Sequence, residues 1–256
     1  MSRHTSSRSC PPMIMLYDVP GRDVQPWVPN VWRIRFILNY KRLPYRTVWI
    51  EFPDVERELM RIGAPPSATR SDGRPVYTLP VIVDQTRNPH RPTILSNTNN
   101  IAEYLEQTYP ARQVFPDGSR AMQSLFVHYI QEVFSQPLLP ILVPLSHHAL
   151  PERTQAHFRA GQVPATVLVG QQRELAWQAA KEQFDFLAMI LDKNNGDGDG
   201  IVAMGEHLTY ADFALCAVLI WIERMSAHDG WARVRTWNGG RWSRLWDRCR
   251  PYMEEL

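Results

Sequence analysis

The sequence predicts two successive units, an α/β unit over residues 13–110 and an all-helical unit over 114–256, preceded by a flexible tail at 1–12. Three observations carry this reading. Strand and helix patterns alternate as far as Tyr109, the proline-bounded stretch Pro110–Pro116 then interrupts them as a linker, and beyond Ser119 every long periodic segment has helical spacing.

The elements follow in order. Met13–Tyr17 is a short apolar run that reads as a buried strand, and Asp18–Pro29, with Pro20, Gly21, Pro26 and Pro29, is a loop. A helix begins at Asn30, where Val31, Ile34, Ile37 and Leu38 share one face, and Leu43–Pro44 stops it. Tyr45–Glu51 is β-branched and aromatic, hence a strand, and Pro53–Ile62 is a short helix closed by Gly63 and Pro65–Pro66. Leu79–Asp84 and Thr93–Leu95 form a second strand pair around a polar turn, and a helix capped at Asn97–Thr98 runs to Pro110. Helices are then expected over Arg120–Ser135, Pro151–Leu191 with breaks near Gly161 and Gly170, Tyr210–Ser226 and Arg241–Glu255. Thr209 and Asp212 have capping-box spacing before the apolar helix at Tyr210.

Composition narrows the partners. A chain with 44% hydrophobic and 21% charged residues is an ordinary globular protein, and 28 Lys plus Arg against 26 Asp plus Glu gives no field that calls for nucleic acid or a membrane surface. No apolar run approaches the ~18 residues that a membrane span needs. Cys10, Cys216 and Cys249 lie far apart, without zinc spacing, so neither a disulfide framework nor a metal is expected, and a reducing, cytoplasmic location fits.

Four strings sharpen the picture: Trp27–Tyr45 (WVPNVWRIRFILNYKRLPY), Thr78–Asp84 (TLPVIVD), Leu95–Glu106 (LSNTNNIAEYLE) and Leu208–Leu215 (LTYADFAL). Together with the βαβ–ββα order they resemble the soluble glutathione transferases. The first string, with Glu51–Pro66, looks like the fungal A (FuA) class and the related bacterial lignin β-etherases. The resemblance implies a thioredoxin-like N-terminal domain, an all-α C-terminal domain, glutathione as cofactor and a homodimer. It implies that Leu79–Pro80 is a cis pair whose backbone meets the cysteinyl part of glutathione like an added strand. Asn97–Thr98 stands where the family has an acid followed by serine, at a helix start that favours the γ-glutamyl carboxylate, with a neutral amide in place of the acid. Arg57, Arg61 and Arg70 are the candidates for the glycyl carboxylate.

The family places a Ser, Tyr or Cys beside the glutathione thiol, in a segment reading W-S-P-N; here it reads Trp27-Val28-Pro29-Asn30. Valine cannot donate to a thiolate, so Asn30 is the first candidate catalytic donor, and Tyr17 the second. Two functions follow: an enzyme that conjugates glutathione or uses it in ether or peroxide cleavage, weakly activated; or a ligandin that carries hydrophobic, aromatic compounds. Glutathione itself is expected at Trp27, Asn30, Leu79, Pro80, Asn97 and Thr98. The hydrophobic half of the site is expected on the first helices of the second unit, including Phe126, Tyr129 or Phe134.

Three other features are read as structural. Asn195–Glu206 has the spacing of a calcium-binding EF-hand loop, with Asp197, Asp199 and Glu206 at ligand positions, but Asn at its first position and no exiting helix make it a Gly/Asp connection. His147–His148 reads as a surface turn. The basic, tryptophan-rich C-terminal stretch reads as a last helix packed on the second unit.

Overall fold

The computed structural model describes residues 13–162, 166–194, 196 and 200–254. The expected tail at 1–12, and Asn195, Asp197 and Asp199 of the EF-hand-like loop, lie outside the described residues. Among the described residues no cluster of His, Cys, Asp or Glu could hold a metal, and no helix is long and apolar enough to cross a membrane.

The N-terminal half is a thioredoxin-like sheet and helix domain. β1 (Ile14–Asp18) runs parallel to β2 (Tyr45–Trp49) and antiparallel to β5 (Val81–Asp84), which pairs antiparallel with β6 (Thr93–Ser96), giving the order β2-β1-β5-β6. α1 (Pro29–Tyr40) and α3 (Thr98–Thr108) cover one face of the sheet and α2 (Val55–Arg61) the other. The two-residue side-chain period of the strands sorts them: Ile14, Leu16 and Ile82 join the core under α1, whereas Tyr17, Val81 and Val83 join a smaller cluster with Val55 and Leu59 of α2. A small hairpin, β3 (Ala68–Thr69) with β4 (Pro75–Val76), fills the stretch between α2 and β5 to which the sequence assigned no element.

The C-terminal half is helical: α4 (Arg120–Tyr129), α5 (Leu139–His148), α6 (Glu152–Ala160), α7 (Gly170–Leu191), α8 (Tyr210–Ser226), the single turn α9 (Ala232–Val234) and α10 (Trp237–Cys249). α8 is its axis, buried continuously from Tyr210 to Ile222, and it packs on α1, where Phe36 stacks on Phe213 with ring centroids 5.2 Å apart. One hydrophobic core therefore runs from the sheet through α1 into the helices. The connection between halves is pinned by Lys41, whose Nζ lies 2.6 Å from Glu106 Oε2 and donates to the carbonyls of Tyr109, Ala111 and Arg112. Glu106 in turn accepts from the backbone N–H groups of Val114 and Phe115, so the buried pair also satisfies the turning backbone.

Several local expectations are corrected. α1 starts at Pro29, one residue early, because proline is suited to the first helical turn, where its N–H is not needed. His147 and His148 end a helix instead of forming a loop: Pro140 sits in the first turn of α5, Pro144 lies inside it, and His147 is buried and stacked on Phe158 at 4.8 Å. Arg120–Ser135 is not a uniform α-helix, since Ile130–Phe134 is a π-helical turn. Pro151–Leu191 divides into α6 and α7 at the breaks expected near Gly161 and Gly170, whereas α10 starts earlier than expected and is kinked at Asn238, Gly239 and Gly240, all of positive φ. Thr209 and Asp212 do form the capping box, and Trp242 of α10 is fully buried.

Candidate functional site

Two cavities meet at the N-terminal end of α1. The first, of about 210 Å³, lies between α1, the β3–β4 hairpin and the start of α3, with Ser67, Thr78, Leu79, Asn97 and Thr98 on its wall. The second, of about 280 Å³, is walled by Val28 and Pro29 on one side and by Ile130, Ser135, Leu139, Val218 and Trp221 of the helical half on the other. Asn30, Arg33 and Gln131 line both, so these three side chains form the boundary.

The wall of the first cavity combines an open backbone edge with a helix N-terminus. The Leu79–Pro80 bond is cis, and among the described residues no hydrogen bond engages the backbone N–H or carbonyl of Leu79, which leaves an open strand-like pairing edge. Asn97 caps α3 from a positive-φ position (φ 69°), its Oδ1 accepting from Asn99 N at 3.0 Å and Asn100 N at 3.4 Å. Its acceptor oxygen is thus committed to the helix, and the end that remains is the NH₂ donor. Thr98, the first residue of α3, is buried to 7% exposure, and among the described residues no hydrogen bond engages its own N–H, at a helix start where an anion is favoured.

The boundary is the electrostatically unusual part. Asn30 Oδ1 accepts from Arg33 Nη2 at 2.8 Å, and Gln131 Oε1 from Arg33 Nη1 at 3.4 Å. The Arg33 guanidinium also lies over the Tyr210 ring, 5.9 Å from its centroid. Arg33 is 3% exposed, and burial holds its pKa below the ordinary arginine value while the nearby Tyr210 hydroxyl acts the other way. The Tyr210 hydroxyl donates to Asn99 Oδ1 at 2.9 Å, and burial raises its pKa.

Not every residue expected at the site is there. Asn30, Leu79, Asn97 and Thr98 come together on the first cavity. Trp27 lines neither cavity: it packs inward against both hydrophobic clusters, and its Nε1 is buried without a partner. Pro80 is likewise buried behind Leu79. Tyr17, 6% exposed, faces the cluster under α2, because β1 alternation turns it away from α1. Arg57 and Arg61 are engaged by carboxylates of their own segment, Asp54 at 2.9 Å and Glu58 at 2.7 Å, and Arg70 is exposed; none lines the cavity.

None of the three aromatic residues expected for the hydrophobic half lines the second cavity. Phe134 is fully buried against Phe184, and Phe126 and Tyr129 line a separate apolar cavity of about 540 Å³ that shares no residue with the other two. The π-turn explains the shift: Ser135 N and Oγ both donate to the carbonyl of Ile130, so the residue stacked on Ile130 is five positions on, not four, and Ser135 takes the wall position that helical periodicity gives to Phe134.

Residues 27–108 match the family profile described as Glutathione S-transferase, N-terminal domain, and residues 121–252 match Glutathione S-transferase, C-terminal domain. Glutathione transferase GSTFuA3 from Phanerochaete chrysosporium superimposes with a TM-score of 0.85 at 32% identity, over 95% of this chain and 98% of that one. The chain belongs to the glutathione S-transferase family. Two further relatives bear on this transferase. The glutathione S-transferase CsGST83044 of Ceriporiopsis subvermispora, solved in complex with glutathione, is 34% identical with a TM-score of 0.83, covering 94% of this chain and 99% of that one. The Glutathione S-transferase-like protein ustS of Aspergillus flavus is 26% identical over 92% of this chain and 88% of that protein. Two of the structural neighbours, GSTFuA3 and GSTFuA2 from Phanerochaete chrysosporium, carry the name of the fungal A class that the N-terminal strings resemble.

Arg33, Gln131 and Ser135 are among the lining residues of this transferase that sequence reasoning missed, as are Leu139, Val218 and Trp221. Gln131 and Ser135 belong to the π-turn, which no periodicity announces. Arg33 had a signal. Arg33 and Arg35 stand two apart on a helix otherwise apolar through its middle, so they must project to different sides, and each needs a reason to be there.

Proposed function

We propose that this transferase binds glutathione in the cavity of about 210 Å³ and presents its thiol, across Asn30, to a hydrophobic, aromatic electrophile in the cavity of about 280 Å³. The observation that carries the reading is the shared boundary: a polar cavity with a helix N-terminus and a free backbone edge abuts an apolar one, and the side-chain amide of Asn30 faces both. In this arrangement the N–H and hydroxyl of Thr98, at the positive end of α3, meet the γ-glutamyl carboxylate. The Leu79 backbone pairs with the cysteinyl unit, and the NH₂ of Asn30 donates to the sulfur. Bound glutathione supplies the nucleophilic sulfur. The chain supplies orientation and, with Leu139, Val218 and Trp221, a dry wall for the second substrate.

Val28, which lines the second cavity, offers no hydrogen bond where the family pattern has a hydroxyl, and this favours modest turnover, with a ligandin role as the second reading. Conjugation of a chromogenic electrophile separates them: turnover above the uncatalysed reaction of free glutathione supports the enzyme, and binding of both ligands without turnover supports the carrier. A cytoplasmic homodimer belongs to the same reading, and light scattering of the purified protein at the monomer mass would remove the dimer from it.

A further inference from the structure

α1 carries two buried arginines, and their surroundings differ. Arg35, 1% exposed, faces the sheet, where Asp18 Oδ2 lies 3.1 Å from its Nη2 and the hydroxyls of Tyr45 and Thr47 accept from Nη1. Its charge is neutralised in place. Arg33, 3% exposed, faces the boundary between the cavities, and among the described residues no carboxylate is within salt-bridge distance of it; its partners are the neutral oxygens of Asn30 and Gln131 and the face of Tyr210. Buried cations are normally paired, because an uncompensated charge in a low-dielectric site is costly. Among the described residues Arg33 is also the single cationic side chain lining either cavity.

We propose that Arg33 is a catalytic residue whose guanidinium holds the glutathione sulfur as a thiolate, supplying by charge what Val28 cannot supply by hydrogen bonding. The inference rests on the glutathione reading above. It accounts for a buried cation left without a carboxylate: the missing anion is the ligand's sulfur, delivered to the edge where the two cavities join. Asn30 and Gln131 then have a second task, since their oxygens hold the guanidinium from either side and fix its plane. The thiol proton passes to bulk water and the sulfur keeps the S–H electron pair. That pair forms the new bond to the electrophilic carbon, whose leaving group departs with the electrons of its own bond. The other ionisable groups around Arg33 are few. Glu132 lies on the wall of the second cavity, Tyr210 is beneath the guanidinium, Glu103 beyond Tyr210 is paired with Arg120, and Arg35 on the same helix is paired with Asp18.

The test is an ultraviolet titration of the thiolate of bound glutathione in wild type, Arg33→Met and Arg33→Lys, with calorimetric binding of S-methylglutathione, which has no thiol to ionise, measured in parallel. Arg33→Met is expected to move the midpoint of the bound thiol upward by about one pH unit or more, a tenfold fall in the ratio of thiolate to thiol at a given pH, while S-methylglutathione still binds as in wild type. Arg33→Lys, which keeps a charge on a shorter, rotatable stem, is expected to fall between the two, and it carries the test if the methionine variant does not fold. A midpoint unmoved in the variants that fold, with S-methylglutathione bound, overturns the proposal. So does loss of S-methylglutathione binding with an unmoved midpoint, which would make Arg33 a carboxylate anchor. Failure of wild type to bind either peptide refutes the glutathione reading itself and is recognised before any variant is made.

Discussion

Arg33 Nη2 donates to Asn30 Oδ1 at 2.8 Å, one turn apart on α1, and this single hydrogen bond decides which way the asparagine faces. A guanidinium has only donors, so the oxygen of Asn30 must turn to it, and the NH₂ becomes the end available to a ligand. An exposed asparagine at a helix start is thereby held as a fixed hydrogen-bond donor at the edge of both cavities.

Removing that donor gives the first prediction. Asn30→Ala is expected to lower kcat for conjugation about tenfold, the size of one hydrogen bond to a charged group, with little change in the KM for glutathione. Steady-state kinetics with a chromogenic electrophile measure it; an unchanged kcat would mean that the amide does not reach the sulfur.

Val28 is the N-cap of α1, with φ −72° and ψ 120°, and it provides no side-chain cap. Val28→Ser therefore adds a helix cap and a hydroxyl on the wall of the second cavity at once. Stability should rise by about 1 kcal/mol in urea denaturation, and conjugation should rise about tenfold. A gain in stability with no gain in rate would place the thiol donor elsewhere.

At Asn97 the positive φ is one that Asp also tolerates. In Asn97→Asp one carboxylate oxygen keeps the cap on Asn99 and Asn100, and the second becomes an acceptor for the ligand's amino group, beside a helix N-terminus that favours negative charge. Calorimetry should show tighter glutathione binding. Weaker binding would mean that the NH₂ of Asn97 is what the ligand's carboxylate uses.

Val218, on α8, lines only the cavity of about 280 Å³. Val218→Phe fills part of that space, so the KM for an aromatic electrophile should rise about tenfold, with glutathione affinity intact. If both change equally, the two cavities are not separate subsites.

Asp212, fully buried under the capping box, has its carboxyl pushed up to about 6 by burial, against the opposing hydrogen bonds from Ala203 N, Thr209 N and Thr209 Oγ1. An acid with a raised native pKa binds protons better folded than unfolded, so its contribution to stability is largest on the acid side and is lost as pH rises from about 4 to about 6. The loss from this group amounts to about 3 kcal/mol. The stability difference between wild type and Asp212→Asn, followed by urea denaturation across that range, should fall with pH; a flat difference would show that the hydrogen bonds, not burial, govern the group.

Legible in the sequence alone were the order of most elements, the two-part fold, the capping box at Thr209 and Asp212, and the Leu79, Asn97 and Thr98 group that lines the first cavity. Each of these is written locally, as a strand or helix period, a proline, or a cap residue beside its helix. The other wall was not legible. Gln131 and Ser135 reach the site only because α4 ends in a π-turn, and a single extra residue in a turn rotates a face without changing composition or period enough to read. α5 was hidden by two prolines, one of which sits in a first turn that tolerates it. Arg33 was visible as a charge in an apolar helix, but what it faces depends on Gln131 and Tyr210, residues about a hundred and more positions away that only the packing of α8 and the π-turn against α1 brings to it. Long-range packing sets which buried charge is neutralised, as Arg35 is by Asp18, and which is left facing the cleft, and spacing along the chain does not encode it.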